Sequence, residues 1–127
     1  MDYQVLRHQI LQRNPRDRGY CGPIAIAAAT GLDAGDVAEY VAPLRVNGRG
    51  MRGTDILVAI QALTGYAPVL YKDSRVKTPI TAARNLPKGT YICMTRDHVL
   101  CVRDGKVIDW SDERQLRIIS IWKVEGV

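Results

Sequence analysis

The chain has 127 residues, 46% hydrophobic and 24% charged, which fits one globular domain with a core of its own. Its formal net charge of +5 suits acidic partners, nucleic acid or plain solubility and decides among none of them. No apolar run approaches the about 20 residues that cross a bilayer, and three cysteines without CxxC spacing, with two distant histidines, speak against structural zinc.

We therefore expect a soluble cytoplasmic protein with free thiols, no metal or other cofactor, and no membrane partner. The N-terminal stretch "MDYQVLRHQILQRNPRDRG" is polar and arginine-rich, without the apolar centre of a signal peptide. His8 within it has no acidic neighbour and reads as a surface residue.

"CGPIAIAAATG" reads as a helix: Pro23 suits an early helical position, the alanines favour the interior, and Gly31 is a natural stop. Its apolar residues run all round, which predicts a buried helix. "DAGDVAEYVAP" is a second helix with Asp33 as N-cap, Asp36 in the first turn and Pro43 at its end. "LRVNGRGMRG" is a loop rich in glycine and arginine. "TDILVAIQALTG" is a third helix, capped by Thr54, stopped at Gly65, and apolar at Ile56, Ala59, Ile60 and Leu63.

Beyond Gly65 the pattern changes to short strands. "APVLY" is followed by "TPITAARNLPKG", a connection with room for one helical turn, and then by "TYICMT", "HVLCV", "KVIDW" and "RIISIWKV". Helices first and strands second predict a single α+β domain over 1–127. Its N-terminal helices pack on a C-terminal antiparallel sheet of four to five strands.

Asp104-Gly105 is a strong two-residue hairpin signal, because both positions favour positive φ. That turn pairs Arg103 with Lys106, Val102 with Val107, Cys101 with Ile108, Leu100 with Asp109, Val99 with Trp110, and His98 with Ser111. Alternation then puts His98, Leu100, Val102, Val107, Asp109 and Ser111 on one face. His98 and Asp109 become diagonal neighbours about 7–8 Å apart at the backbone, near enough for an imidazole and a carboxylate to meet. Asp97 and Asp112 fall on the wrong parity. Cys93 and Cys101 are read as core thiols on the other face.

A histidine oriented by a carboxylate, together with Cys21 at a helix N-terminus, supplies the parts of a Cys-His-Asp nucleophilic site. A helix N-terminus and a nearby imidazolium both favour a thiolate. Asp109 holds the imidazole's tautomer, and the Cys21 N–H at the unsatisfied helix end is placed to meet an oxyanion. Taken singly, Cys21 and His98 have ordinary readings as core or surface residues. Asp109 inside a strand is harder to explain that way, because an unpaired carboxylate is costly to bury.

"GYCGPIAIAAATG" followed by "GTYICMTRDHVLCVRDGKVIDW" resembles the papain-like cysteine peptidase superfamily, from about Asn14 to the end. Within it the chain is most similar to short phage-associated papain-like proteins and to bacteriocin-processing peptidases. The resemblance implies a helix bearing the nucleophile, then a sheet bearing His and Asp or Asn, and Cys21, His98 and Asp109 match that order. It also implies a tryptophan shielding the third member, here Trp110. Where such enzymes carry an oxyanion-hole glutamine this chain has Pro15, which leaves Asn14 or Gln12 as the second donor.

The expected function is a cysteine hydrolase of peptidase or amidase type, with a catalytic triad, an acyl-enzyme intermediate and a peptide or protein substrate. If it is phage-encoded, as the resemblance implies, the protein is expected in the host cytoplasm. Acyl transfer to an amine uses the same site. The alternative is a non-catalytic binding protein on the same scaffold. Arg45, Arg49 and Arg52 form the expected substrate or partner loop, mobile and suited to acidic groups. A nucleic-acid partner is less favoured, because no aromatic residue interleaves these arginines to stack on bases.

Overall fold

The computed structural model describes residues 2–111 and 114–127, so Asp112, set aside above by parity, lies outside the described residues. The N-terminal stretch forms a helix where the sequence reading saw only polar chain. This helix, α1, spans Tyr3–Arg13, and Asp2 caps it by accepting from the Gln4 N–H. Tyr3, Leu6 and Ile10 recur at helical spacing and turn one stripe toward the core, leaving the arginines outside.

Helix α2 (Cys21–Thr30) is buried from Gly22 to Ala29, as an all-round apolar helix must be. Helix α3 (Ala34–Val41) begins at Asp33, whose carboxylate accepts from the Asp36 N–H. Helix α4 (Gly53–Thr64) has Arg52 at its N-cap position with no side-chain cap bond. Thr54 therefore lies inside the helix rather than capping it.

The strands are β1 (Val69–Tyr71), β2 (Thr90–Met94), β3 (Val99–Arg103), β4 (Lys106–Ile108) and β5 (Ser120–Val124). They form one antiparallel sheet in the order β1-β5-β2-β3-β4. The β3–β4 hairpin has the expected register from Arg103↔Lys106 to Cys101↔Ile108, with φ of 50° at Asp104 and 78° at Gly105. Beyond Ile108 the ladder stops, so the pairings expected for Asp109, Trp110 and Ser111 do not form.

The sheet is buried on both faces. Val99, Cys101, Ile92 and Ile108 pack with α1 to α4. Leu100, Val102, Val107 and Cys93 pack in a second core with Val76, Ala82 and Leu86. The cover on that side comes from α5 (Pro79–Asn85), held by a Thr78–Thr81 capping box, where the sequence reading had one helical turn. Cys93 and Cys101 thus face opposite cores rather than sharing a face. Among the described residues no helix is long and apolar enough to cross a membrane.

Candidate active site

Cys21 is the first residue of α2 and is partly exposed, whereas Cys93 and Cys101 are buried. Burial pushes the Cys93 thiol up to about 12 and the Cys101 thiol upward as well. Pro23 has no N–H, and the Ile24 N–H bonds the Tyr20 carbonyl. The Cys21 and Gly22 N–H groups therefore remain as donors at the helix end, without partners among the described residues.

His98 and Asp109 meet as expected. The imidazole Nε2 lies 2.5 Å from the Asp109 Oδ2, and the two side chains are 10% and 4% exposed. Cys21 and His98 line the same two hollows, and Cys21 is among the neighbours that favour a charged imidazole. Since Nε2 is taken by Asp109, the nitrogen facing the thiol is Nδ1. The three residues join in the order Cys21, His98, Asp109.

Parity predicted the His98–Asp109 meeting but not the face on which it occurs. Strict alternation would place both with Leu100 and Val107, in the core against α5 and away from α2. His98 instead precedes β3 and Asp109 follows β4, outside the pleat. Freed from alternation, they gather at the end of the sheet where α2 begins. Thr95 fixes the turn that presents the histidine, donating both its N–H (2.8 Å) and its hydroxyl (3.0 Å) to the His98 carbonyl.

Burial works against a charged His98. The Asp109 hydrogen bond, the neighbouring Cys21 and the charge of Asp109 outweigh it and raise the imidazole to about 9. The fully buried Ser111 hydroxyl donates to the same Asp109 oxygen. Sequence reading placed Ser111 opposite His98 but gave it no part in the site, because a strand serine carries no mark of a carboxylate partner. The Trp110 ring packs on His98 with centroids 4.9 Å apart, so it covers the imidazole more directly than the third member. Tyr3 of α1 also reaches this side. Its phenol is pushed up to about 12 by burial, by the neighbouring Tyr20 and by the nearby Asp109.

Two hollows meet at the Cys21–His98 pair. One, of about 250 Å³, has Tyr3, Tyr20, Asp109 and Trp110 in its walls. The other, of about 390 Å³, has Met51, Arg52, Ile56, Met94 and Arg96. A Cβ on Gly22 would come 3.0 Å from the Met51 Sδ, and one on Gly53 would come 2.9 Å from the Met94 Sδ. The two methionines therefore lie tightly over the starts of α2 and α4.

The arginine loop departs from expectation. The segment forms short 3₁₀ turns at Ala42–Leu44 and Val46–Gly48, and Arg45 bridges Met51. Asn47 takes the left-handed conformation, with φ of 53°. Arg45 is not displayed to a partner. Its guanidinium, 7% exposed, forms a buried two-pronged ion pair with Asp17, and its Nε donates to the Arg49 carbonyl. Asp17 also accepts from the Gly19 N–H. A Cβ on Gly19 would come 2.4 Å from the Arg49 carbonyl carbon, so the loop is pressed against the chain that leads into Cys21. The loop so placed lines one wall of the cleft. Arg49 and Arg52 remain on its outer side, Arg52 in the cleft itself.

Asn14 and Gln12 do not join the site. Helix α1 continues to Arg13, so Asn14 becomes its C-cap, and its side-chain oxygen accepts from the Arg16 N–H. Asn14 lines a separate hollow with Asp17 and Arg45, and Gln12 is exposed on α1. The polar side chains the sequence reading missed are Thr95, Ser111 and Arg96. Thr95 and Arg96 sit in the tight β2–β3 turn, which a strand pattern does not resolve.

Comparison with family models, with curated proteins and with solved structures finds no match to this chain.

Proposed function

We propose that the protein is a cysteine hydrolase of peptidase or amidase type, built on a papain-like α+β scaffold. One observation carries the reading: a partly exposed helix-start cysteine stands at the meeting of two hollows beside a histidine that is bonded to a buried aspartate. A merely structural thiol needs neither the charged imidazole nor the opening.

His98, raised to about 9, supplies the imidazolium, and the reaction uses the Cys21 sulfur as its thiolate nucleophile. The sulfur attacks the carbonyl carbon of an amide, and the carbonyl oxygen takes up the displaced electron pair. The Cys21 and Gly22 N–H groups face that oxyanion in place of the side-chain amide expected from Asn14 or Gln12. The intermediate collapses, the C–N bond breaks, and the departing amine takes the proton from His98. This leaves a thioester and neutral imidazole. His98 then accepts a proton from water, whose oxygen attacks the thioester and expels the Cys21 sulfur. The acid product leaves and the ion pair is restored. An amine in place of that water gives acyl transfer by the same steps. Asp109 keeps Nε2 donating, so that Nδ1 handles the travelling proton.

The test is thiol labelling of the folded protein at neutral pH with iodoacetamide and a peptidyl acyloxymethyl ketone, followed by peptide mapping. Cys21 should label far faster than Cys93 or Cys101, and the ketone should lose its target in Cys21→Ser and slow strongly in His98→Ala. Equal labelling of all three thiols, or a Cys21 inert to both reagents, refutes catalysis.

A further inference from the structure

The hollow of about 390 Å³ does not end beside the thiol. It shares Gly50, Met51 and Arg52 with a broader surface depression that Asn47 and Arg49 also line. The resulting groove runs from Cys21 outward along the wall that Arg45 and Asp17 hold in place. The hollow beside Cys21 combines the apolar Met51, Met94 and Ile56 with the basic Arg52 and Arg96. The outer depression adds Arg49 to Arg52, which lines both parts. Among the described residues, none of these three arginines is in an ion pair, whereas Arg13, Arg45 and Arg75 are each spent on carboxylates. The exposed Asp97 is the acidic side chain in the groove lining.

We propose that this groove selects acidic peptides. An apolar side chain fills the methionine-lined slot beside Cys21, and neighbouring Asp or Glu residues pair with Arg52, Arg96 and Arg49. The proposal rests on the cysteine-hydrolase reading and gives its substrate class. Guanidinium groups lining a partly desolvated groove bind carboxylates through two parallel hydrogen bonds, which fixes register as well as charge. Methionines are suited to the apolar slot because their flexible thioethers adapt to more than one side chain. A single nucleic-acid strand also seeks arginine, but it needs aromatic faces for its bases. Neither part of the groove contains a Tyr or Trp; Tyr3, Tyr20 and Trp110 lie in the other hollow.

The experiment measures binding to the full chain carrying Cys21→Ala, so that no turnover is needed. The probes are a fluorescein-labelled peptide with one Leu among Glu residues, its counterpart with Gln for every Glu, and a labelled single-stranded oligonucleotide. Each is read by fluorescence polarisation at low and high salt. The Glu peptide should bind at least about ten-fold more tightly than the Gln peptide, as expected for hydrogen bonds to charged groups. Adding Arg52→Glu and Arg96→Glu should reverse the preference, so that a Lys-for-Glu peptide binds best. A reversal of preference cannot come from misfolding.

Equal binding of the Glu and Gln peptides, or a preference that survives the charge reversal, overturns the proposal. Tighter binding of the oligonucleotide than of either peptide overturns it in favour of nucleic acid. Cys21 labelling of the unmodified chain reports separately on the hydrolase reading. An inert Cys21 with intact Glu-peptide selectivity would remove the enzyme and leave the acidic-peptide groove standing.

Discussion

Replacing Asp109 with asparagine tests the centre of the site without needing a substrate. The imidazole of His98 stands at about 9 rather than the ordinary 6.5, although its burial works against the charge. The main favourable influences are the Asp109 hydrogen bond and the charge of Asp109, with the neighbouring Cys21 adding to them. The Asp109→Asn change keeps the size and loses the charge, so burial should bring His98 to about 6.5 or lower. At pH 7.5 the protonated fraction should then fall from about 97% to about 9% or less, a loss of at least about ten-fold in the proton donor alone. The sign for stability follows from the raised value. The contribution of His98 is fully present below about pH 6.5 and is lost as pH rises through about 9, with an upper size of about 3 kcal/mol. The assay is NMR titration of the His98 ring, assigned by its disappearance in His98→Gln, for the unaltered chain and for Asp109→Asn. Thermal unfolding between pH 6 and 10 provides the second readout. A titration near 9 that survives in Asp109→Asn, or an unaltered His98 titrating at 6.5, refutes the triad argument.

Arg45→Gln strands a carboxylate, because Asp17 is only 2% exposed and is held below the usual carboxylate range by Arg45 despite its burial. The expected loss is about 3–5 kcal/mol by denaturant unfolding, largely recovered in Asp17→Asn with Arg45→Gln. If the single variant unfolds like the unaltered chain, the pair does not hold the cleft wall. Ser111→Ala removes a hydroxyl from the Asp109 oxygen that also holds His98. It should lower kcat/KM on a peptide substrate about ten-fold and move the alkaline limb of its pH profile, with Ser111→Thr restoring both. An unchanged pH profile would make Ser111 a packing residue only.

The parts of the fold that were legible rest on local chemistry. The Asp104-Gly105 turn set the β3–β4 register because the positive φ it needs is rare elsewhere. The all-round apolar run of α2 could only be buried, and Gly31 ended it as expected. Helix α1 was not read from the sequence: only Tyr3, Leu6 and Ile10 turn inward, while Val5 is exposed, so its apolar stripe is too sparse to announce a helix. The end of β4 was not legible, because a ladder stops where its partner strand turns away, and no residue in "KVIDW" announces that. The same limit hid the face on which His98 and Asp109 meet.

By itself, the sequence determined which side chains are available for chemistry and which short elements carry them. A cysteine at a helix start and a histidine and aspartate flanking one hairpin are consequences of local order, since turn geometry and helix caps act over a few residues. Tertiary structure alone decided where those elements sit. It placed β5 between β1 and β2, covered the second sheet face with α5, and moved His98 and Asp109 off the pleat to face Cys21. It also separated arginines that look alike in sequence. Arg45 became a buried anchor paired with Asp17, a residue far from it along the chain, while Arg52 stayed in the cleft and Arg96 joined it from the β2–β3 turn. Whether a guanidinium is exposed or buried depends on which distant carboxylate packing brings beside it, and that partner is set by the fold rather than by the residues on either side.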